Sequence, residues 1–284
     1  MVCPKSLMEH DHAPACTTTC AAAPISTKRN MNIDETIQKL HDMKLRTLAT
    51  ALREMTQMPP DNHLSFEEKL GMLIDREWTE RDNRKLAQRV KQARLSVRAS
   101  PEQIICDPAR GLDKPVLREL SSGHWVRAHH NVIAVGPTGI GKSFLANALA
   151  QAACRQGFRA LFTRVPRLLE ELAIARASAT YAATLAKLAK IDVLVLDDFL
   201  LAPMTDTERR DLLEVLEDRY DRSSTVITTQ VPTKSWHEAL GDPTIADAIC
   251  DRLVHNAHVV ALRGPSMRRQ KGLKTPTPES QTTA

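Results

Sequence analysis

Val132-Ile133-Ala134-Val135-Gly136-Pro137-Thr138-Gly139-Ile140-Gly141-Lys142-Ser143-Phe144-Leu145-Ala146-Asn147-Ala148-Leu149 sets a glycine-rich loop between a β-branched run and an apolar helical one. The loop is a full G-x-x-x-x-G-K-[ST], and strand, loop and helix stand in the order that a phosphate-binding loop needs. Glycines let backbone N–H groups wrap phosphates at a helix N-terminus, Lys142 is spaced to reach the β and γ phosphates, and the Ser143 hydroxyl to ligate Mg²⁺. The nucleotide-binding set is therefore Gly136, Pro137, Thr138, Gly139, Ile140, Gly141, Lys142, Ser143 and Phe144, with ATP and Mg²⁺ expected. A turn that merely joined strand to helix would leave a lysine at its buried end without an anion, at a desolvation cost.

Downstream, Val193-Leu194-Val195-Leu196-Asp197-Asp198 is an apolar strand ending in two carboxylates. Asp197 would hold Mg²⁺ through water, and Asp198 would orient or deprotonate the attacking water. A cap after a buried strand is the plainer alternative. Thr225-Val226-Ile227-Thr228-Thr229-Gln230 ends in polar groups, so Thr229 or Gln230 would sense a γ-phosphate if this strand lies between the other two; a turn-forming strand end is the competing possibility. Arg252, at the end of a helix expected over Thr244 to Leu253, and Arg268, after the last strand, each offer a guanidinium to neutralise charge in phosphoryl transfer, in rings and filaments from a neighbouring subunit. The alternative for both is a surface ion pair, with Asp247 or Asp251 as the acidic neighbour. Strand-like runs at 131–135, 159–165, 191–197, 225–229 and 258–262 alternate with helical ones, which predicts an α/β fold with a parallel sheet covered by helices.

Upstream the pattern differs. Residues 1–30 carry no apolar period and read as a disordered extension; Cys16 and Cys20 with His10 and His12 are conceivable zinc ligands, but the x3 spacing of the cysteines is unspecific and no packed shell surrounds them. From Asn32, with Glu35 three residues on, the apolar positions Ile33, Ile37, Leu40, Leu48, Leu52 and Met55 predict an amphipathic helix. After Met58-Pro59-Pro60-Asp61, Ser65 and Glu68 make a capping box that opens a long polar helix. That helix and its continuation carry Arg76, Arg81, Arg84, Lys85, Arg89, Lys91, Arg94 and Arg98, turning purely basic after Asp82. Such a cluster neutralises several phosphates if it faces a duplex; as a solvated face it would instead find Glu77, Glu80 and Asp82 as local partners. Ser100-Pro101-Glu102-Gln103 then restarts a helix, and the stretch to about residue 125 is a connector.

Lys and Arg outnumber Asp and Glu by 39 to 34 in the 284 residues, a formal net charge of +5 that permits a polyanionic partner. Aromatic residues make up 4%, which favours duplex backbone contacts over stacking on single strands. No apolar run reaches the roughly 18 positions of a membrane span, and the first thirty residues, with His10, Asp11 and His12, do not form a secretory signal, so a cytoplasmic location with no membrane partner is expected. Six scattered cysteines suit reduced thiols.

The stretch from Met31 to Lys271 resembles the IstB-like ATP-binding family, helper proteins of insertion-sequence transposition that are similar to the helicase loader DnaC and the initiator DnaA. Besides the loop, the phrases that carry the resemblance are Arg81-Asp82-Asn83-Arg84, Gly111-Leu112-Asp113-Lys114, Ala160-Leu161-Phe162-Thr163-Arg164, Leu194-Val195-Leu196-Asp197-Asp198, Ile249-Cys250-Asp251-Arg252-Leu253-Val254-His255 and Gly264-Pro265-Ser266-Met267-Arg268. The resemblance implies an AAA+ P-loop NTPase core, residues 101–271, whose five-stranded parallel sheet has the order 5-1-4-3-2. A small all-helical N-terminal domain, residues 31–100, would precede it, and residues 272–284 would form a disordered tail. It also implies ATP-dependent assembly of a homo-oligomer on double-stranded DNA, contact with a partner transposase, and DNA-stimulated ATP hydrolysis. Arg252 would then act as an arginine finger in trans and Arg268 in cis. A replicative helicase loader, and a DNA scaffold that binds ATP with little hydrolysis, are the alternatives. Two departures bear on hydrolysis: the family has Asp-Glu where this chain has Asp197-Asp198, and Thr-Ser-Asn where it has Thr228-Thr229-Gln230. Asp198 is one methylene shorter than Glu, so slow turnover with preserved binding is expected.

Overall fold

The computed structural model describes residues 32–57 and 64–267. The extension expected over 1–30, the Pro59-Pro60 break, Arg268 and the tail lie outside the described residues. Contacts divide the chain between Glu77 and Trp78, well before residue 100.

The first unit holds α1 (Ile33–Asp42), α2 (Arg46–Gln57) and the start of α3 (Phe66–Gln92). The single helix expected from Asn32 is broken in two at Lys44, which takes a left-handed φ of 62°. Leu45 N donates to Leu40 O at 2.8 Å and Lys44 N to His41 O at 2.9 Å, the paired bonds that close a helix C-terminus when the next residue turns left-handed. Asn32 caps α1 through Asp34 N at 3.2 Å, but Glu35 does not complete a box with it and pairs with Lys39 at 2.8 Å. At α3 the box does form: Ser65 N donates to Glu68 Oε2 at 2.7 Å and Glu68 N to Ser65 Oγ at 3.2 Å.

Glu77 is 4% exposed, and its Oε2 accepts Leu48 N at 2.9 Å, in the first turn of α2. A carboxylate there meets an orphan N–H and the positive end of the helix dipole. We expect Glu77→Ala to destabilise the helical unit by about 1–2 kcal/mol, read as earlier melting of helical circular dichroism, and Glu77→Gln to recover part of the loss. Equal melting of all three forms would show that the contact contributes nothing.

The second unit begins within α3 because that helix's C-terminal half is bonded to the α/β core. Arg89 Nε donates to Cys154 O at 3.0 Å, Phe162 N to Ala93 O at 2.8 Å, and Ser96 N to Asn147 Oδ1 at 2.9 Å. The core then runs α4 (Lys114–Ser121), α5 (His124–Arg127), β1 (Asn131–Val135), α6 (Lys142–Arg155), β2 (Ala160–Arg164), α7 (Val165–Ala177), α8 (Tyr181–Ala189), β3 (Val193–Phe199), α9 (Asp206–Glu217), β4 (Ser224–Thr229), α10 (Trp236–Leu240), α11 (Pro243–Val254) and β5 (Ala257–Ala261). The helix expected from Ser100 is only a single 3-10 turn, Pro101–Gln103, because Ile104 is already extended at φ −78° and ψ 125°.

All five strands are parallel in the order β2-β3-β4-β1-β5, the expected order counted from the other edge. Side chains alternate across a strand, and in the three central strands, β3, β4 and β1, both faces are buried. Val132, Val195 and Val226 pack with Leu145 and Leu149 of α6, while Ile133, Leu194, Leu196 and Ile227 pack with Leu172 of α7, Leu212 of α9 and Ile249 of α11. Strands so enclosed read as continuous apolar runs, which is why their positions were legible. No helix among the described residues is long and apolar enough to cross a membrane.

Candidate nucleotide-binding site

The loop from Gly136 to Gly141 leaves the C-terminal end of β1 and enters α6. Glycine is required at two points. Gly139 has φ +80°, and a Cβ there would meet Ser266 Oγ at 2.3 Å; a Cβ on Gly136 would meet the Leu262 carbonyl at 2.5 Å. The loop is thus clamped by the segment that follows β5, with Leu262 N on Val135 O at 2.7 Å and Met267 N on Gly139 O at 2.9 Å.

Lys142 is 8% exposed, and its Nζ donates to Gly136 O at 2.8 Å and Pro137 O at 3.0 Å. Ser143 Oγ donates to Asp197 Oδ1 at 2.8 Å across the gap between α6 and β3. A buried ammonium beside a helix N-terminus, where the helix dipole favours negative charge, fits a polyphosphate. A hydroxyl facing a buried carboxylate fits a Mg²⁺ ion, which takes hard oxygen ligands. Residues 136–143 could therefore hold the phosphates, and Ser143 with Asp197 the metal.

The two aspartates diverge. Asp197 stays in the sheet, 3% exposed, and also accepts Thr228 Oγ1 at 2.5 Å. Asp198 takes a left-handed φ of 59°, where the β3–β4 register shifts between Leu196 and Phe199, and this turns it to line a cleft of about 660 Å³. A non-glycine residue in that region of φ/ψ is uncommon, and such backbone outliers cluster at functional sites. Asp198 N is held by Thr228 Oγ1 at 3.2 Å, and its Oδ2 lies 3.8 Å from Nε of Arg164, which lines the same cleft.

β4 does lie between β1 and β3, but it presents only one of its two candidate sensors. Gln230 lines the cleft and its Oε1 accepts Thr138 Oγ1 of the loop at 2.7 Å. Thr229 is 1% exposed and its Oγ1 accepts Val231 N at 3.0 Å, a strand-end turn. Phe144 lines the cleft. Arg252 does not: its Nη1 donates to Ala248 O at 2.9 Å and its Nε to Glu217, whose carboxylate raises the guanidinium pKa further. The hydrogen-bonded acid is thus Glu217 of α9, and the charge of Asp251 raises the guanidinium pKa in the same direction, whereas Asp247 meets His237 Nε2 at 2.9 Å.

Thr228 and Arg164 were missed as site residues. Threonines inside a β-run carry no separate signal, and Arg164 reaches Asp198 only because β2 pairs with β3, placing Arg164 opposite Asp197. The apolar wall of the cleft, including Val97, Ile105, Leu112 and Met267, was also unforeseen, since it comes from segments far apart in sequence.

A strand inserted between the one that feeds the phosphate loop and the one that ends in two carboxylates, within a parallel sheet of this order, places the chain in the AAA+ class of P-loop domains. The fold is matched by AMPPCP-bound DnaA from Aquifex aeolicus, with a TM-score of 0.51 at 15% identity over 63% of this chain and 56% of that one. Residues 38–275 match the family of IstB-like ATP binding proteins, and the chain belongs to that family. It is similar to a Sinorhizobium fredii protein described as an insertion sequence ATP-binding protein, at 46% identity over 84% of this chain and 98% of the relative. It is also similar to an ATP-binding protein of the insertion sequence IS21 from Pseudomonas aeruginosa, at 32% identity over 83% and 89%.

Proposed function

We propose that this chain is a cytoplasmic ATPase that assists insertion-sequence transposition by assembling with copies of itself on duplex DNA and serving a partner transposase. The observation that carries the hydrolytic part is Asp198, turned by its left-handed backbone at the β3 register shift into the cleft that the phosphate loop and Gln230 share. Lys142 would neutralise the β and γ phosphates, Gln230 and the loop hydroxyl of Thr138 would contact the γ-phosphate, and Asp198 would orient the attacking water and accept its proton. Mg²⁺, held by Ser143 and Asp197, would supply charge neutralisation between the phosphates. Arg252 lies outside its own chain's cleft, which suits service to a neighbouring copy, and Arg268 would act in cis.

The basic segment supplies the DNA contact. Arg76 is paired with Glu54, Arg84 with Glu80, and Arg89 is turned onto Cys154, while Lys85, Lys91, Arg94 and Arg98 point to solvent. Phosphate contacts of this kind position a protein on a duplex without reading sequence. The insertion-sequence relatives support the transposase partnership.

Hydrolysis measured with and without duplex DNA tests the proposal: stimulation is expected, and its absence with ATP still bound would favour a nucleotide-dependent scaffold. That second reading has its own support, because Asp198 is short and is drawn toward Arg164. Asp198→Glu restores the missing methylene and is expected to raise DNA-stimulated turnover roughly tenfold, since about an ångström of misplacement at a reacting centre is costly. Lower turnover in Asp198→Glu would show that the site is fitted to the shorter side chain.

A further inference from the structure

Asn147 is fully buried in α6, one turn after Ser143, and its amide is used on both sides. Nδ2 donates to the Ser143 carbonyl at 2.6 Å and to Ser96 Oγ at 3.1 Å; Oδ1 accepts Ser96 N at 2.9 Å. Asparagine is a poor helix-interior residue, and a buried polar side chain is costly unless fully bonded, so what it ties together matters. On one side is the exposed turn between Arg94, whose φ is 51°, and Arg98. On the other is the phosphate-loop serine. The bonds then continue without a gap: Ser143 Oγ to Asp197 Oδ1, Thr228 Oγ1 to the same oxygen, and Asp198 N to Thr228 Oγ1. Of the segment's other bonds, those to Cys154 and Phe162 end away from the cleft, while Val97, which lines the cleft, also donates its N to Asn147 Oδ1 at 3.4 Å.

We infer that Asn147 is the positioning residue through which DNA phosphates held by the basic segment act on the nucleotide site. The inference rests on the proposed DNA-stimulated ATPase. Buried hydrogen bonds are sensitive to geometry, so a shift of the Arg94–Arg98 turn must either break the Asn147 bonds or carry the Ser143 backbone with it. Coupling between binding sites is reciprocal, so to the extent that bound DNA changes the affinity for ATP through Asn147, ATP changes the affinity for duplex DNA by the same factor; an effect on turnover carries no such requirement.

The test is a double-mutant cycle on Ser96→Ala, Asn147→Ala and the pair, in the full-length protein. Two quantities are read: the ratio of ATP turnover with and without saturating duplex, and duplex affinity with and without a non-hydrolysable ATP analogue. Ser96 is exposed and outside the cleft, so Ser96→Ala is expected to keep basal turnover and ATP affinity while lowering the stimulation ratio about threefold. Asn147→Ala is expected to lower it about tenfold and to erase the ATP effect on duplex affinity, and the pair to do no more than Asn147→Ala alone. If Asn147→Ala melts below the assay temperature, Asn147→Leu, which fills the site without hydrogen bonds, decides, because Ser96→Ala leaves the backbone bonds of Ser96 N and Val97 N to Asn147 in place. Wild-type stimulation in folded Asn147→Ala or Asn147→Leu, or additive losses in the pair, overturns the inference. A wild type that DNA does not stimulate overturns the proposed activity instead, and ATP-dependent duplex affinity then still decides the coupling; if that is also flat in the wild type, both fall.

Discussion

Lys142→Ala will lower ATP affinity by about two orders of magnitude or more while leaving the fold nearly as stable as before. Charge-assisted hydrogen bonds contribute about 1.5–3 kcal/mol each, and an ammonium between the β and γ phosphates makes at least two. Every 1.4 kcal/mol or so is tenfold in affinity. Stability should change little, because the two carbonyls that Nζ leaves belong to residues within reach of solvent, Gly136 half-buried and Pro137 exposed. Titration with a fluorescent ATP analogue alongside thermal unfolding separates the two effects. Affinity within tenfold of wild type would mean that the loop's backbone N–H groups, and not the lysine, dominate phosphate binding.

Arg219→Met will destabilise the α/β unit by about 3–5 kcal/mol, a fall of roughly 10 °C in the unfolding midpoint. Arg219 is 1% exposed and donates to four oxygens: Leu188 O and Ile191 O at 2.7 Å, Ser224 O at 2.5 Å and Thr225 Oγ1 at 3.4 Å. It pins the end of α8 and the approach to β3 to the start of β4, on the side of the sheet away from the phosphate loop. Methionine fills comparable volume but makes none of these bonds; Leu188 O keeps Ile191 N as a donor, while Ile191 O and Ser224 O lose the guanidinium, and buried acceptors that lose a donor cost more than the bonds contribute. Arg219→Lys, whose ammonium cannot span all four acceptors, should recover less than half. A midpoint unchanged in Arg219→Met would show that water replaces the guanidinium. ATP affinity of the folded variant should be normal, which distinguishes this arginine from those near the cleft.

Arg219 also illustrates how far the sequence could be read. In Glu217-Asp218-Arg219-Tyr220-Asp221-Arg222 it is one charge among several, and nothing local marks it as the buried one. The same holds for Glu77, which resembled a salt-bridge partner on a polar helix and proved to be the cap of another helix. Lys44 gave no sign that α1 would end there, since lysine is rare in a left-handed cap position. The five strands, by contrast, were placed within two residues at each end; for the central ones, burial on both faces writes itself as a largely apolar run.

What the sequence by itself determined is the chemistry carried by contiguous residues. The glycine spacing, Lys142 and Ser143 specify a phosphate loop, and an apolar strand running into Asp197-Asp198 specifies a carboxylate pair at the C-terminal end of a strand, because neighbours in the chain are neighbours in space. Only the tertiary structure decided which of these groups meet. It turned Asp198 into the cleft and kept Asp197 in the sheet through a left-handed residue at a register shift. It chose Gln230 over Thr229, set Arg164 beside Asp198 and Glu217 beside Arg252, and joined Ser96 to Ser143 through Asn147. Each of those pairings depends on strand order and helix packing between segments far apart in the chain, and that information resides in the packed core as a whole.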